Sequence, residues 1–143
     1  MSSLGCFLIA LFYSLYSTVP GTIERAFLEN DAGLLASLFS REAPFLVSLP
    51  EPITFSDIIT DEQAFLVFER IFRSNPTIEF FPDSRRAPVF RRGGFILKGR
   101  WSFIDRETKD QHPLQIFIRL RPNTESRSRK PLWLIAEIRA EKI

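Results

Sequence analysis

The chain of 143 residues is 45% hydrophobic and contains 15 phenylalanines, enough for the core of one domain with a short additional segment. Its single cysteine, Cys6, excludes disulfides and thiolate metal sites from the rest of the chain. The net charge of +2 conceals an asymmetry, since residues 24–79 contain ten acidic and four basic side chains and residues 80–143 contain seven acidic and fifteen basic ones. The Arg-rich second half therefore either keeps a sheet soluble or binds acidic groups.

Residues 1–19 contain no charged side chain, and Leu4 to Tyr16 is mostly apolar. This is the length of a signal-peptide core and is short for a transmembrane helix. We expect an exported protein, periplasmic or secreted, that loses Met1 to about Ser17, followed by a single domain over residues 20–143. An uncleaved membrane anchor and a packed N-terminal helix are the alternatives, and membrane contact is expected only through such an anchor.

Two short helices are predicted next. Thr22 is placed as the N-cap of the first helix, which continues to about Glu29. Asn30 tolerates a left-handed backbone and Asp31 can cap a new helix, so this pair separates the two. Apolar residues three and four apart then predict a second helix that ends near Ser40.

A short strand pair, Pro44–Leu49 and Ile53–Phe55, precedes the strongest local signal of the sequence. Thr60 followed by Gln63 predicts a capping box at the start of a third helix, which runs to about Arg73. The apolar stripe of this helix consists of Ala64, Phe65, Phe68, Ile71 and Phe72.

From Thr77 to the C-terminus, the sequence predicts a series of consecutive strands. Gly93-Gly94 marks a turn within Val89–Asp105, and the last two strands begin near Leu114 and Leu132. Because the runs are long and the turns short, we predict an antiparallel meander. In the central strand, the following residues share one dry face: Phe95, Leu97, Gly99, Trp101 and Phe103.

This order of elements, with the Phe-rich capped helix and the final Leu-Trp-Leu-Ile-Ala-Glu-Ile-Arg strand, resembles the nuclear transport factor 2-like (cystatin-like cone) superfamily, most closely its small exported bacterial domains of unknown function. The resemblance spans roughly Thr22 to Lys142. It implies an α+β fold with two N-terminal helices, a short strand pair, a third helix, and a strongly bent antiparallel meander sheet forming a cone with a ligand-binding cavity. Members include enzymes, ligand carriers and homodimerising or other protein-interaction modules, so the resemblance implies no single function.

The residue pattern gives little support for catalysis. An enzyme of this fold would place Asp, His or Tyr in the cavity, but the single histidine, His112, lies in a charged turn. A Ser-His-Asp triad is not indicated, and one histidine cannot build a typical zinc site, so no catalytic residue, metal or cofactor is predicted. The carboxylates on regular elements are Glu69, Glu79 and Glu137, and one of them facing an enclosed cavity would favour an isomerase or dehydratase.

The candidate binding residues lie mainly on the last strands. We predict that they bind a small acidic or aromatic ligand or a protein partner: Trp101, Phe117, Arg119, Arg121, Trp133 and Glu137. The alternative is that the charged ones form ion pairs on an exposed sheet face and the aromatic ones belong to the core. Glu137 is expected to share a strand face with Trp133, Ile135 and Arg139.

Nucleic acid is not expected as a partner. The basic clusters Arg85-Arg86, Arg91-Arg92 and Arg127–Lys130 are short, and an exported protein rarely meets nucleic acid. We therefore predict a non-catalytic ligand-binding or protein-interaction domain. The alternative is a small-molecule enzyme of the same fold that uses a cavity carboxylate.

Overall fold

The computed structural model describes residues 19–83, 89–91, 94–125 and 131–143, with residues 89–91 described by their backbone alone. Three helices lie in these ranges: α1 (19–28), α2 (Ala32–Ala36) and α3 (Asp61–Ser74). The strands in these ranges are β1 (Phe45–Leu49), β2 (Phe55–Ile59), β3 (Thr77–Pro82), β4 (Val89–Arg91), β5 (Gly94–Ile104), β6 (Gln111–Pro122) and β7 (Trp133–Lys142).

Several predictions concern residues outside the described ranges. These are the leader and most of the three basic clusters, so export, leader removal and the domain boundary at residue 20 stay predictions. Within the described ranges, no helix is both long enough and apolar enough to cross a membrane.

The break between α1 and α2 follows the local chemistry predicted for it. Asn30 adopts the left-handed conformation with φ of 54°, and Asp31 caps α2 by accepting a 2.9 Å hydrogen bond from the backbone N–H of Leu34. The Asn30 side-chain oxygen also accepts a 2.8 Å hydrogen bond from the backbone N–H of Thr77, which ties the break to β3. The prediction that Thr22 caps α1 is wrong, because residues 19–21 already belong to that helix.

Helix α2 ends at Ala36, earlier than the predicted end near Ser40. The helix ends there because the backbone that follows it pairs with β7 of the sheet. Leu38 O accepts a 2.8 Å hydrogen bond from Ile135 N, and Phe39 forms a parallel bridge with the same residue of β7.

Helix α3 has the predicted capping box. Gln63 N donates to Thr60 Oγ1 at 3.3 Å, and Thr60 N donates to Gln63 Oε1 at 3.0 Å. The predicted apolar stripe faces the core, with Phe65 partly exposed and the other four members buried: Ala64, Phe68, Ile71 and Phe72.

The strands form one mixed, curved sheet in the order β2-β1-β7-β6-β5-β3, with β4 paired to β5. Strands β5, β6 and β7 pair antiparallel in sequence order, which confirms the α+β class and the central meander. The predicted strand pair belongs to the same sheet, because β1 runs parallel to β7. Its second strand lies at Phe55–Ile59 rather than Ile53–Phe55, since Thr54 has a left-handed φ of 53° and ends the preceding turn.

The helices cover one side of the sheet, and aromatic rings fill the space between. Phe27 of α1 stacks on Phe80 of β3 with ring centroids 4.6 Å apart, and meets Trp101 of β5 edge-on at 5.1 Å. The dry face predicted for β5 is the one that meets the helices. We call the opposite side of the sheet, turned away from the helices, the outer face.

Candidate functional site

A β-bulge in β7 decides which side chains share the outer face. Strands β6 and β7 pair Arg119 with Glu137 but Leu120 with Ile135, so Ala136 is an extra residue without its own partner. The in-and-out alternation of β7 reverses at such a point. Ile135 is therefore buried beside Leu120, while Glu137 points outward beside Arg119.

Both tryptophans lie on the helix-facing side. Trp101 is fully buried, and its indole N–H donates a 3.0 Å hydrogen bond to Thr77 Oγ1. Trp133 meets Phe95 edge-on with ring centroids 5.0 Å apart. Because the bulge separates them, the prediction that Glu137 shares a face with Trp133 and Ile135 is wrong.

Phe117, Arg119 and Glu137 do share the outer face, where Arg119 lies opposite Glu137 and Phe117 lies two residues before Arg119 on β6. The Lys98 ammonium nitrogen lies 5.7 Å from the centroid of the Phe117 ring, and the Arg139 guanidinium carbon lies 5.2 Å from it. These are cation–π distances, and the two residues are the cross-strand partners of Phe117 on β5 and β7. We call Lys98, Phe117 and Arg139 the cation–ring row. Sequence reasoning missed this row because it depends on the register of three strands.

The charges of the outer face are only partly paired. Arg119 Nε lies 3.4 Å from Glu137 Oε2, an exposed pair of the kind that contributes about 0–1 kcal/mol. In the part of the chain that the structure describes, no carboxylate lies within ion-pair distance of Lys98, Arg100 or Arg139. Three cations on one sheet face are therefore available to an external anion.

Arg121 belongs to a different cluster, which we call the Glu125 clamp: Ser40, Arg121 and Glu125. Arg121 Nη2 lies 3.6 Å from Glu125 Oε1, and the buried Ser40 hydroxyl donates to the same carboxylate. The backbone N–H of Glu42 donates to it at 3.3 Å. The clamp holds the chain after β6 against the connection between α2 and β1.

The environment of Glu125 keeps its carboxylate ionised. Burial alone raises the pKa of Glu125. Hydrogen bonds from the Ser40 hydroxyl and from the backbone of Glu42 and Arg41, together with the charge of Arg121, outweigh burial and hold that pKa below its ordinary value.

The carboxylates considered for catalysis lie on solvent-facing surfaces. Glu79 is exposed on β3, and Glu69 on α3 is 3.6 Å from the exposed Arg73. Glu69 and Arg73 line an open groove of about 640 Å³ between α3 and the α1–α2 junction, residues 29–33. Among the described residues, no three His, Cys, Asp or Glu side chains are arranged to hold a metal ion.

Comparison with known proteins identifies the fold. No protein-family model matches the sequence, and no curated protein matches it. A DUF4783 family protein from Bacteroides uniformis superposes with a TM-score of 0.66 at 14% identity, covering 88% of this chain and 98% of its own. A hypothetical protein with a ketosteroid isomerase-like fold from Catenulispora acidiphila, in complex with trimethylamine, gives 0.61 at 10% identity, with 87% and 84% covered.

A designed NTF2 protein superposes with a TM-score of 0.57 at 13% identity, covering 90% of this chain and 98% of its own. The chain thus has the nuclear transport factor 2-like fold, as the order of its elements predicted. At such low identities the likeness shows the fold alone, because proteins of one fold carry many functions.

Proposed function

We propose that this protein is a non-catalytic binding domain that holds an acidic protein partner on the outer face of its sheet. The observation that carries the proposal is the cation–ring row. Phe117 is only partly buried, Lys98 and Arg139 lie against its ring, and neither cation has a carboxylate partner within the described chain.

The row is suited to binding carboxylates. A guanidinium binds a carboxylate through two parallel hydrogen bonds while its flat face rests on an aromatic ring. Contact with Phe117 limits the conformations of Lys98 and Arg139 before binding, so less side-chain entropy is lost when a ligand arrives. Arg and aromatic residues are also enriched in protein interfaces, and an open sheet face suits a protein surface better than a small molecule.

The placement of the carboxylates supports binding over catalysis. A catalytic base needs a raised pKa, which enclosure in an apolar cavity provides. Glu69, Glu79 and Glu137 lie where water reaches them. The alternatives against which binding is tested are an isomerase or dehydratase of this fold and a domain that binds a small ligand.

Export forms a second part of the proposal. An uncharged apolar run over Leu4–Tyr16 precedes the folded domain, which suits a leader that is removed after export. The intact mass of protein from its native source tests this. A mass lacking about the first 17 residues supports export, and a full-length mass in a soluble fraction contradicts it.

The test of binding compares two double variants of equal charge change. Lys98→Gln/Arg139→Gln removes both cations of the row. Arg25→Gln/Arg73→Gln removes two cations from the helices, where their side chains are 63% and 71% exposed. In pull-down from the native compartment, followed by titration of the purified partner, we expect the first variant to lose the partner and the second to keep it. Rising salt should weaken wild-type binding.

Three outcomes would contradict the proposal. Binding by both double variants that equals wild-type binding would exclude the cation–ring row as the binding site. The purified domain could form a dimer that dissociates in the Lys98→Gln/Arg139→Gln variant and persists in the Arg25→Gln/Arg73→Gln variant. The occupant of the outer face would then be a second copy of this chain and not an acidic partner. Conversion of a small molecule, abolished by Glu79→Gln or Glu137→Gln, would establish the enzyme instead.

A further inference from the structure

We infer that the outer face contains a binding site for one carboxylate. Lys98 and Arg100 of β5 form this site, which lies between Phe81 and Phe117. The site takes a partner's side-chain or C-terminal carboxylate that stands next to an aromatic or apolar group, and it disfavours polyanions. This inference rests on the proposed function and adds to it the chemistry of the group that is recognised.

Lys98 and Arg100 lie two positions apart on the same face of β5. Gly99 and Trp101 are buried and face the helices, so Lys98 and Arg100 alternate onto the outer face. Residues two apart on a strand are separated by roughly 7 Å along the backbone, a spacing that two long, flexible side chains can close to contact the same carboxylate. Neither cation is paired with a carboxylate of the described chain.

An aromatic ring stands on each side of this pair of cations. Phe81 of β3 is the cross-strand partner of Arg100, and Phe117 of β6 is the partner of Lys98. Phe80 stacks on Phe27 in the core, so alternation sends Phe81 to the outer face, where it is 58% exposed. Exposed rings beside cations provide an apolar surface for the hydrocarbon part of a ligand.

Acidic residues limit the site on the side of β7. Arg139 stands between Glu137 and Glu141 on the outer face of that strand, and Glu137 also neutralises Arg119 at 3.4 Å. The potential is therefore most positive along β5 and becomes less positive towards β7 and also towards β3, which carries the exposed Glu79 on the same face. A ligand with one negative charge near β5 avoids these carboxylates, whereas a polyanion that extends across the face meets them, and like charges at an interface reduce affinity.

A matched pair of probes tests the inference on the full chain. N-acetylphenylalanine carries one carboxylate beside one ring, and N-acetylphenylalaninamide carries the same ring without the charge. In a titration followed by amide NMR shifts, we expect saturable shifts centred on Lys98, Gly99 and Arg100 with the acid only. Arg100→Gln should weaken this binding about tenfold, as loss of a charge-assisted hydrogen bond predicts. Arg106→Gln, in the exposed turn after β5, should not weaken it.

Inorganic tripolyphosphate provides the test of selectivity. We expect it to bind the wild type more weakly than N-acetylphenylalanine does, and Glu137→Gln to strengthen tripolyphosphate binding while leaving that of the acid nearly unchanged. Tighter binding of tripolyphosphate by the wild type would overturn the selectivity. Shifts confined to the groove beside α3, or an Arg100→Gln variant that binds normally, would overturn the site itself.

The results also separate this inference from the proposed function. If N-acetylphenylalanine does not bind but the acidic partner still depends on Lys98 and Arg139, the single-carboxylate site is wrong and the binding function stands. If the probe binds as expected but the partner binds the Lys98→Gln/Arg139→Gln variant as tightly as the wild type, the single-carboxylate site is supported and the proposed protein-partner function is contradicted.

Discussion

A Cβ atom added to Gly99 would lie 2.9 Å from the carbonyl oxygen of Phe81, closer than real Cβ contacts come. Strands β3 and β5 approach so closely at this point that only glycine fits. We predict that Gly99→Ala lowers the free energy of unfolding by about 1–3 kcal/mol, although alanine is no worse a strand former than glycine. Urea denaturation at equilibrium provides the measurement.

Gly21 is the matched control for this prediction. It lies in α1, and a Cβ added there would meet no atom within 4 Å. Gly21→Ala should therefore raise stability by up to about 1 kcal/mol, because alanine is the better helix former. Changes of the same sign and size in both variants would contradict the close approach of β3 and β5.

The cap and the buried stripe of α3 should contribute very different amounts. Thr60→Ala removes one capping hydrogen bond and should cost about 1 kcal/mol. Phe68→Ala leaves a cavity at a fully buried position and should cost roughly 3–5 kcal/mol. Leu66→Ala, on the exposed side of the same helix, should change stability by less than about 0.5 kcal/mol. A Leu66 effect as large as that of Phe68 would mean that the helix faces the other way.

The Glu125 clamp predicts a pH dependence of stability. Because the folded-state pKa of Glu125 lies below its unfolded value, the ionised carboxylate stabilises the fold. This contribution is fully present above the ordinary pKa of 4.5 and is lost as the pH falls through the lower folded-state value. The stability difference between wild type and Glu125→Gln should thus be largest near neutral pH and shrink in acid.

Glu51→Gln is the control for the clamp. Its carboxylate pairs with Lys142 at 3.1 Å, but both side chains are largely exposed, so the change should have little effect at any pH. A Glu125→Gln variant as stable as the wild type near neutral pH would show that the clamp does not stabilise the fold.

The two arginines of β6 should behave differently when each is changed to serine. Arg119 forms one exposed pair, so Arg119→Ser should change stability by less than about 1 kcal/mol. Arg121 is a partner of Glu125, so Arg121→Ser should destabilise the protein more and reduce the pH dependence described above. Equal effects in thermal unfolding would contradict the separation of the clamp from the outer face.

Local signals in the sequence predicted the helices well. The capping box at Thr60 and the left-handed break at Asn30 depend on residues within a few positions of each other, and the structure has both. Gly99 lies on the predicted dry face of β5, and the structure adds the close approach of Phe81 as the reason for glycine there.

Which residues form the site is decided by contacts between residues that are far apart in the sequence. The bulge at Ala136 exists because β7 pairs with β6 in one particular register, and a regular alternation of Trp133 to Arg139 gives no sign of it. The parallel pairing of β1 with β7 likewise joins segments about 90 residues apart. The ion pair of Arg119 with Glu137 agrees with the alternative stated for the charged residues. Trp133 was assigned to the wrong face, and Lys98 and Arg139 were not recognised as neighbours of Phe117.

The most direct test of partner binding by the outer face is a map of the surface that the acidic partner covers. Cross-saturation NMR on the labelled domain, bound to the partner recovered by pull-down, reports which of its residues lie in the interface. We predict that saturation reaches Lys98, Arg100, Phe117 and Arg139 on the outer face. Saturation confined to the groove lined by Phe65 and residues 29–33, with the outer face unaffected, would contradict it.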